Sequence, residues 1–249
     1  MSGHSKWANI KHKKARKDAQ KGKLFSKLAR KITVEAREGG GDLEKNSSLR
    51  MVVEQAQEAG MPKENIIRAI QRGTGELPGT SFEKITCEGY GPGGVALLIE
   101  AVTDNKKRTV AEIRHILTSN GGHMGEVGCV SWLFERKGIA VFDKKNLNEE
   151  EAMEFAVEIG AEDVREDKNT IEIIFPPEMF RTVREKIKEK KLNPELLELT
   201  MIPQTTVPLK GKEAVQMLNL MNALEEAEEV QNVYANFDIS EEIMEKVAS

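Results

Sequence analysis

His123 and Cys129 fall within one glycine-rich stretch, Gly121-Gly122-His123-Met124-Gly125-Glu126-Val127-Gly128-Cys129. A thiol near an imidazole is a pairing that nucleophilic catalysis uses, but it needs a third group to orient the base. None is evident here, so the stretch reads as tight turns in an exposed loop of the kind that often carries function. The run Gly89-Tyr90-Gly91-Pro92-Gly93-Gly94 superficially looks like a dinucleotide-binding fingerprint. A strand pattern follows it where that motif requires a helix, which makes it a hairpin turn. Cys87 and Cys129 form no CxxC pair, which argues against a disulfide framework or a zinc site. The expectation is a non-enzymatic protein with no catalytic residue, metal, cofactor or small-molecule substrate.

Phosphate recognition is the chemistry the residues favour. Residues 1–37 hold twelve Lys or Arg and two acids, a charge of +10 in a chain whose total is −4, so the other 212 residues sum to −14. The cations are Lys6, Lys11, Lys13, Lys14, Arg16, Lys17, Lys21, Lys23, Lys27, Arg30, Lys31 and Arg37. Such asymmetry points a positive field towards a polyanion, most commonly nucleic acid. Binding of this kind neutralises phosphates and releases counterions, which gives affinity without reading sequence. Trp7, amid these cations, could stack on a base or dock on the protein. A second cluster, Lys106-Lys107-Arg108, opens a helix that Asp104 or Asn105 caps. Free backbone N–H groups there, with three cations, suit a phosphate, although the cations oppose the helix dipole. The expected nucleic-acid-binding set is Lys6, Trp7, Lys11, Lys13, Lys14, Arg16, Lys17, Lys23, Lys27, Arg30, Lys31, Arg37, Lys106, Lys107 and Arg108. Acidic Glu149-Glu150-Glu151 and Glu225, Glu226 and Glu229 read as solvated helix ends that turn polyanions away.

The elements that must position these residues can be read in outline. Residues 1–22 have only scattered apolar positions and read as a mobile basic arm. From Lys23 a helical wheel at about 100° per residue puts Leu28, Ala29, Ile32 and Ala36 near Phe25, and Lys23, Lys27, Arg30, Lys31 and Arg37 opposite. Val34 alone breaks the pattern, and Gly39-Gly40-Gly41 ends the helix. Helices from Ser47 or Ser48 to Gly60, and from Pro62 to Gly73, complete a helical domain over 23–79. Strands are expected at 82–90, 95–103 and 130–135, with a helix from the second cationic cluster to Gly121. Residues 137–202 then read β-α-β-β-α-β, the ferredoxin-like split motif. Strand 205–209, helix 212–226 and strand 230–237 return to the preceding unit.

The expected fold class is thus α+β in three domains. A basic arm (1–22) leads into the helical domain. A discontinuous α+β domain (80–135 plus 203–240) carries an inserted ferredoxin-like domain (136–202), and a tail (241–249) follows. No apolar run is long enough to span a bilayer. No secretory signal is present, and an Arg-rich transit peptide fits poorly because the start favours Lys and runs on into helical pattern. Cytoplasmic location is expected.

Several longer motifs resemble the YebC/PmpR family, which includes the mitochondrial translational activator of cytochrome oxidase. They are Ser2-Gly3-His4-Ser5-Lys6-Trp7-Ala8-Asn9-Ile10-Lys11-His12-Lys13-Lys14, Lys27-Leu28-Ala29-Arg30-Lys31-Ile32, Gly60-Met61-Pro62-Lys63-Glu64-Asn65-Ile66, Glu88 to Gly94, Thr103 to Thr109, and Gly121-Gly122. The resemblance spans nearly the whole chain. It implies a three-domain cytosolic protein without catalytic activity or cofactor. Members have been described as DNA-binding transcriptional regulators, and others look like ribosome-associated translation factors that help with difficult nascent sequences. The expected partner is therefore nucleic acid, DNA first, with ribosomal RNA and the ribosome as the alternative, and no membrane.

Overall fold

The computed structural model describes residues 3–14 and 19–248, without the side chains of 4, 5, 11–14, 19, 20 and 248. It is an α+β fold. The chain opens with α1 (Gly3–Lys14), α2 (Ala19–Gly39), α3 (Ser47–Glu58) and α4 (Lys63–Thr74). The last three pack around Leu28, Ile32, Ala36, Leu49, Val53 and Ile66. Asn46 locks their first turn. Its Oδ1 accepts from the Leu49 N–H (3.0 Å) while its Nδ2 donates to the peptide oxygens of Glu35 and Gly40 (both 2.8 Å). One buried side chain thus caps the start of α3 and the end of α2. Gly73 lets α4 lie close on α2, because a Cβ there would stand 2.4 Å from the Thr33 peptide oxygen.

Next come β1 (Glu83–Tyr90), β2 (Ala96–Thr103), α5 (Lys106–Ser119) and β3 (His123–Met124). They are followed by β4 (Phe134–Asp143), α6 (Glu149–Glu158), β5 (Asp163–Glu166), β6 (Thr170–Phe175), α7 (Phe180–Glu189) and β7 (Leu196–Pro203). The chain finishes with β8 (Val207–Pro208), α8 (Gly211–Glu226), β9 (Val230–Ala235), β10 (Phe237–Asp238) and α9 (Glu241–Ala248). One antiparallel sheet has the order β3-β1-β2-β9, and a second has the order β5-β6-β4-β7. The run β4-α6-β5-β6-α7-β7 shows the split β-α-β-β-α-β connectivity in that second sheet. In the first sheet alternate residues such as Leu97, Ile99, Val233 and Ala235 face α5 and α8. The other side, with Ala96, Leu98 and Tyr234, meets Val130 and Phe134.

Three expectations need correction. Residues 3–14 form a helix, and Trp7 is 0% exposed inside the core of the first sheet. A single large aromatic supplies enough apolar area to fasten a segment that otherwise looks too polar to pack. The expected strand at 130–135 is a single 3-10 turn, Ser131–Leu133, and β4 begins at Phe134 and runs unbroken to Asp143 in the second sheet. The segment at 205–209 pairs with β10 in a separate two-stranded parallel ribbon.

Candidate nucleic-acid interface

The basic face of α2 is turned towards the rest of the protein. Lys27 Nζ donates to the Glu225 peptide oxygen (2.6 Å). Arg30 donates to the Glu228 peptide oxygen (2.8 Å) and also meets that residue's carboxylate, with its guanidinium 5.8 Å from the centre of the Phe82 ring. Arg37 reaches Ser81 Oγ and the Phe82 peptide oxygen (3.1 Å). Lys31 is largely buried, and desolvation pulls its ammonium below the ordinary lysine value against the opposing pull of Glu100 and Glu35. Lys84 answers from β1 by pairing with Glu35 (2.8 Å) and Glu38 (2.7 Å). The acidic residues at the α8–β9 turn therefore receive α2 and are not simply solvated. Val34, at about 180° from Phe25, is buried on this same face.

α1 is bound down in the same way. Lys6 pairs with Asp167, and Asn9 Nδ2 donates to Glu195 Oε2 (3.0 Å). With Trp7 in the core, its ring is no stacking platform in this fold. The side chains of Lys11, Lys13 and Lys14, and the whole of Arg16 and Lys17, lie outside the described residues.

At the second cluster Asn105 is the cap, its Oδ1 accepting from the Arg108 N–H (3.1 Å). Arg108 bridges Asp104 and Glu229 (both 2.5 Å), which holds its guanidinium above its ordinary pKa. That leaves Lys106 and Lys107 exposed at the helix start. The three cations of the cluster thus divide into one structural residue and two that face solvent.

Further cations complete the exposed set, and the sequence reading missed them. A shallow groove of about 200 Å³ between α2 and α4 is lined by Phe25, Ser26, Met61, Asn65, Arg68 and Arg72. Lys23, Lys63, Arg68 and Arg72 are exposed. Arg68 makes only a loose 3.6 Å pair with Glu64. Polar groups beside an apolar floor and unengaged cations suit a sugar-phosphate backbone. The periodic signal was present: Lys63, Arg68 and Arg72 stand on the α4 face opposite buried Ile66 and Ala69.

The glycine-rich loop has a different organiser. Glu88 is buried and accepts from the N–H groups of Gly128 (2.7 Å), Val130 (2.7 Å) and Ser131 (2.9 Å). Burial alone would raise its pKa, but these backbone donors outweigh that and hold the carboxyl below its ordinary value. His123 stacks on Tyr90 with ring centres 5.4 Å apart, while Tyr90 Oη and Trp132 Nε1 both donate to the Cys129 peptide oxygen. The two residues of the apparent thiol–imidazole pair are thus each engaged in holding the loop. It presents Val127 at 94% exposure and Trp132 at 66%.

This fold, with its cations divided between internal docking and an exposed helical surface, defines an α+β protein built to meet a polyanion from one side. Residues 5–76 match the TACO1/YebC protein N-terminal domain, and residues 82–237 match the TACO1/YebC second and third domain. The chain belongs to the TACO1/YebC family. It is 55% identical over 98% of its length to a "Probable transcriptional regulatory protein" of Natranaerobius thermophilus, of which it covers 99%. It is 52% identical to a protein of the same name from Dictyoglomus turgidum, with complete coverage of both chains. The crystal structure of a conserved hypothetical protein, Aq1575, from Aquifex aeolicus is similar at a TM-score of 0.79. The two are 48% identical, and the match covers 90% of this chain and 92% of that one.

Proposed function

We propose that this protein is a non-enzymatic, nucleic-acid-binding regulator of gene expression that acts on duplex DNA. The observation that carries the reading is the name shared by full-length relatives above 50% identity, "Probable transcriptional regulatory protein". The exposed cations give that reading a physical route. Lys23, Lys63, Arg68 and Arg72 on one surface, with Lys106 and Lys107 on another, supply phosphate contacts without base readout. The cations at 11–17 extend the first surface. Lys6, Lys27, Arg30, Lys31, Arg37 and Arg108 support it indirectly, by fixing the elements that carry it.

The sheet and core organisation supports three domains: 23–79 helical, 80–135 with 203–240, and 136–202 of ferredoxin-like order, with the arm 1–22 and tail 241–249 packed on them. The protein acts in the cytoplasm, without a cofactor.

The reading is tested by titrating duplex DNA into the protein across a range of salt. The wild type should bind saturably, and replacing Lys23, Arg68 and Arg72 with Ala should lower the slope of log K against log salt by about 0.9 for each lost contact. Binding that never saturates, or an unchanged slope, rules the reading out.

A further inference from the structure

Three parts of the molecule converge on one cavity of about 340 Å³. Its floor is the outer side of the first sheet, with Glu100 and Tyr234. One wall is α2 and α3, with Lys31, and the other is β4 and β7, with Arg136 and Thr200. Ligand sites favour such junctions, and the volume falls near the lower end of their usual range.

The polar groups of this cavity are unevenly used. Its acceptors are engaged: Glu100 Oε2 accepts from Asn232 Nδ2 (2.8 Å) and Tyr234 Oη (3.2 Å), and Glu35 takes Lys84 (2.8 Å). Its donors are not. Thr200, 3% exposed, has a hydroxyl without a hydrogen-bond partner, as does the buried Nε2 of Gln231. Among the described residues Lys31 and Arg136 both line the cavity without an ion pair. Buried polar groups are rarely left unpaired, because desolvation is then uncompensated. Four unused donors beside satisfied acceptors call for a ligand rich in acceptors and carrying negative charge.

We propose that the cavity binds a phosphate group, on inorganic phosphate or on a 5′-mononucleotide, held by Lys31, Arg136, Thr200 and Gln231. An ammonium, a guanidinium, a hydroxyl and an amide approaching from separate walls match oxygens arranged tetrahedrally. Apolar Val52, Ile85 and Met201 in the same lining leave room for a nucleoside. The neighbouring acid is no obstacle, since burial pushes Glu198 up to about 7 and reduces its negative charge near neutrality. A ligand held in this way would bridge all three walls and fasten them together.

The test is calorimetric titration of the full-length protein with inorganic phosphate and, separately, with adenosine 5′-monophosphate. One saturable site per chain is expected for at least one of them, and the arm that binds more tightly identifies the source of the phosphate. Lys31→Met should weaken binding at least tenfold and Thr200→Val several-fold. The Lys23→Ala/Arg68→Ala/Arg72→Ala variant should bind the small anion unchanged, which separates this site from the nucleic-acid surface. The absence of saturable binding of either probe overturns the proposal. So does binding that Thr200→Val leaves unchanged while circular dichroism shows the fold intact.

Discussion

Arg30 on α2 grips Glu228 at the far end of the sequence, donating to that residue's peptide oxygen and meeting its carboxylate. With Lys27 on the peptide oxygen of Glu225, it turns a positively charged helix face into an internal joint. The oxygens that receive these cations stand where phosphate oxygens would stand in a nucleic-acid complex. Cationic character alone therefore does not identify a binding face, and the two roles separate by experiment.

Replacing Lys27 and Arg30 together with Ala should cost about 2 kcal/mol of stability, the sum of two charge-assisted bonds partly shielded from water. It should leave the salt slope of DNA binding unchanged. Denaturant unfolding and fluorescence anisotropy give the two readouts. The Lys23, Arg68 and Arg72 variant should show the reverse, with stability changed by no more than about 0.5 kcal/mol, as at other exposed positions.

Trp7→Ala should destabilise the protein by about 3–5 kcal/mol, the usual cost of emptying a large aromatic site in a core. Trp7→Phe should restore most of that loss. A Trp that instead stacked on bases would lose DNA affinity on substitution while the melting temperature held.

Glu88→Gln should cost about 1–3 kcal/mol, because one carboxylate serves three backbone donors. Amide exchange should quicken at Gly128, Val130 and Ser131 before it does in β1. The carboxyl is held below its ordinary value, so its stabilisation is present above about pH 4.5 and is lost as pH falls through the folded-state value. The Gln variant should lack that acid-side loss.

Glu198 carries the opposite sign. Burial raises it to about 7 from an ordinary 4.5, so the folded state binds the proton more tightly than the unfolded chain does. Its stabilising share is complete below about pH 4.5 and disappears as pH climbs through 7, which amounts to about 3 kcal/mol at most. Glu198→Gln should therefore flatten stability between about pH 4.5 and 7 and raise it at pH 8. Urea midpoints across that range check it, and a midpoint at pH 8 that fails to rise would contradict the assignment.

Much of the fold was legible in hydrophobic spacing. Phe25, Leu28, Ile32 and Ala36 mark the buried stripe of α2, and Asn148 begins α6 with a full capping box. Gly91 to Gly94 form the expected turn between β1 and β2. What failed did so for physical reasons. α1 owes its place to a long-range contact of Trp7 that no local pattern encodes. Val130 faces one core while Phe134 starts the next sheet, so a continuous apolar run conceals a change of layer. Val34 was the available warning about α2, since an apolar residue amid Lys27, Arg30, Lys31 and Arg37 signals that the charged face meets protein. Glu88 gave no local sign at all, because its three partners lie about forty residues away.

The most direct measurement is sedimentation with ribosomes at about physiological salt, in the presence and absence of an equal nucleotide mass of duplex DNA. The account predicts that DNA strips the protein from the pellet and that the Lys23→Ala/Arg68→Ala/Arg72→Ala variant is not retained by DNA. A protein that pellets with ribosomes whatever the amount of DNA would contradict it and assign the exposed cations to ribosomal RNA.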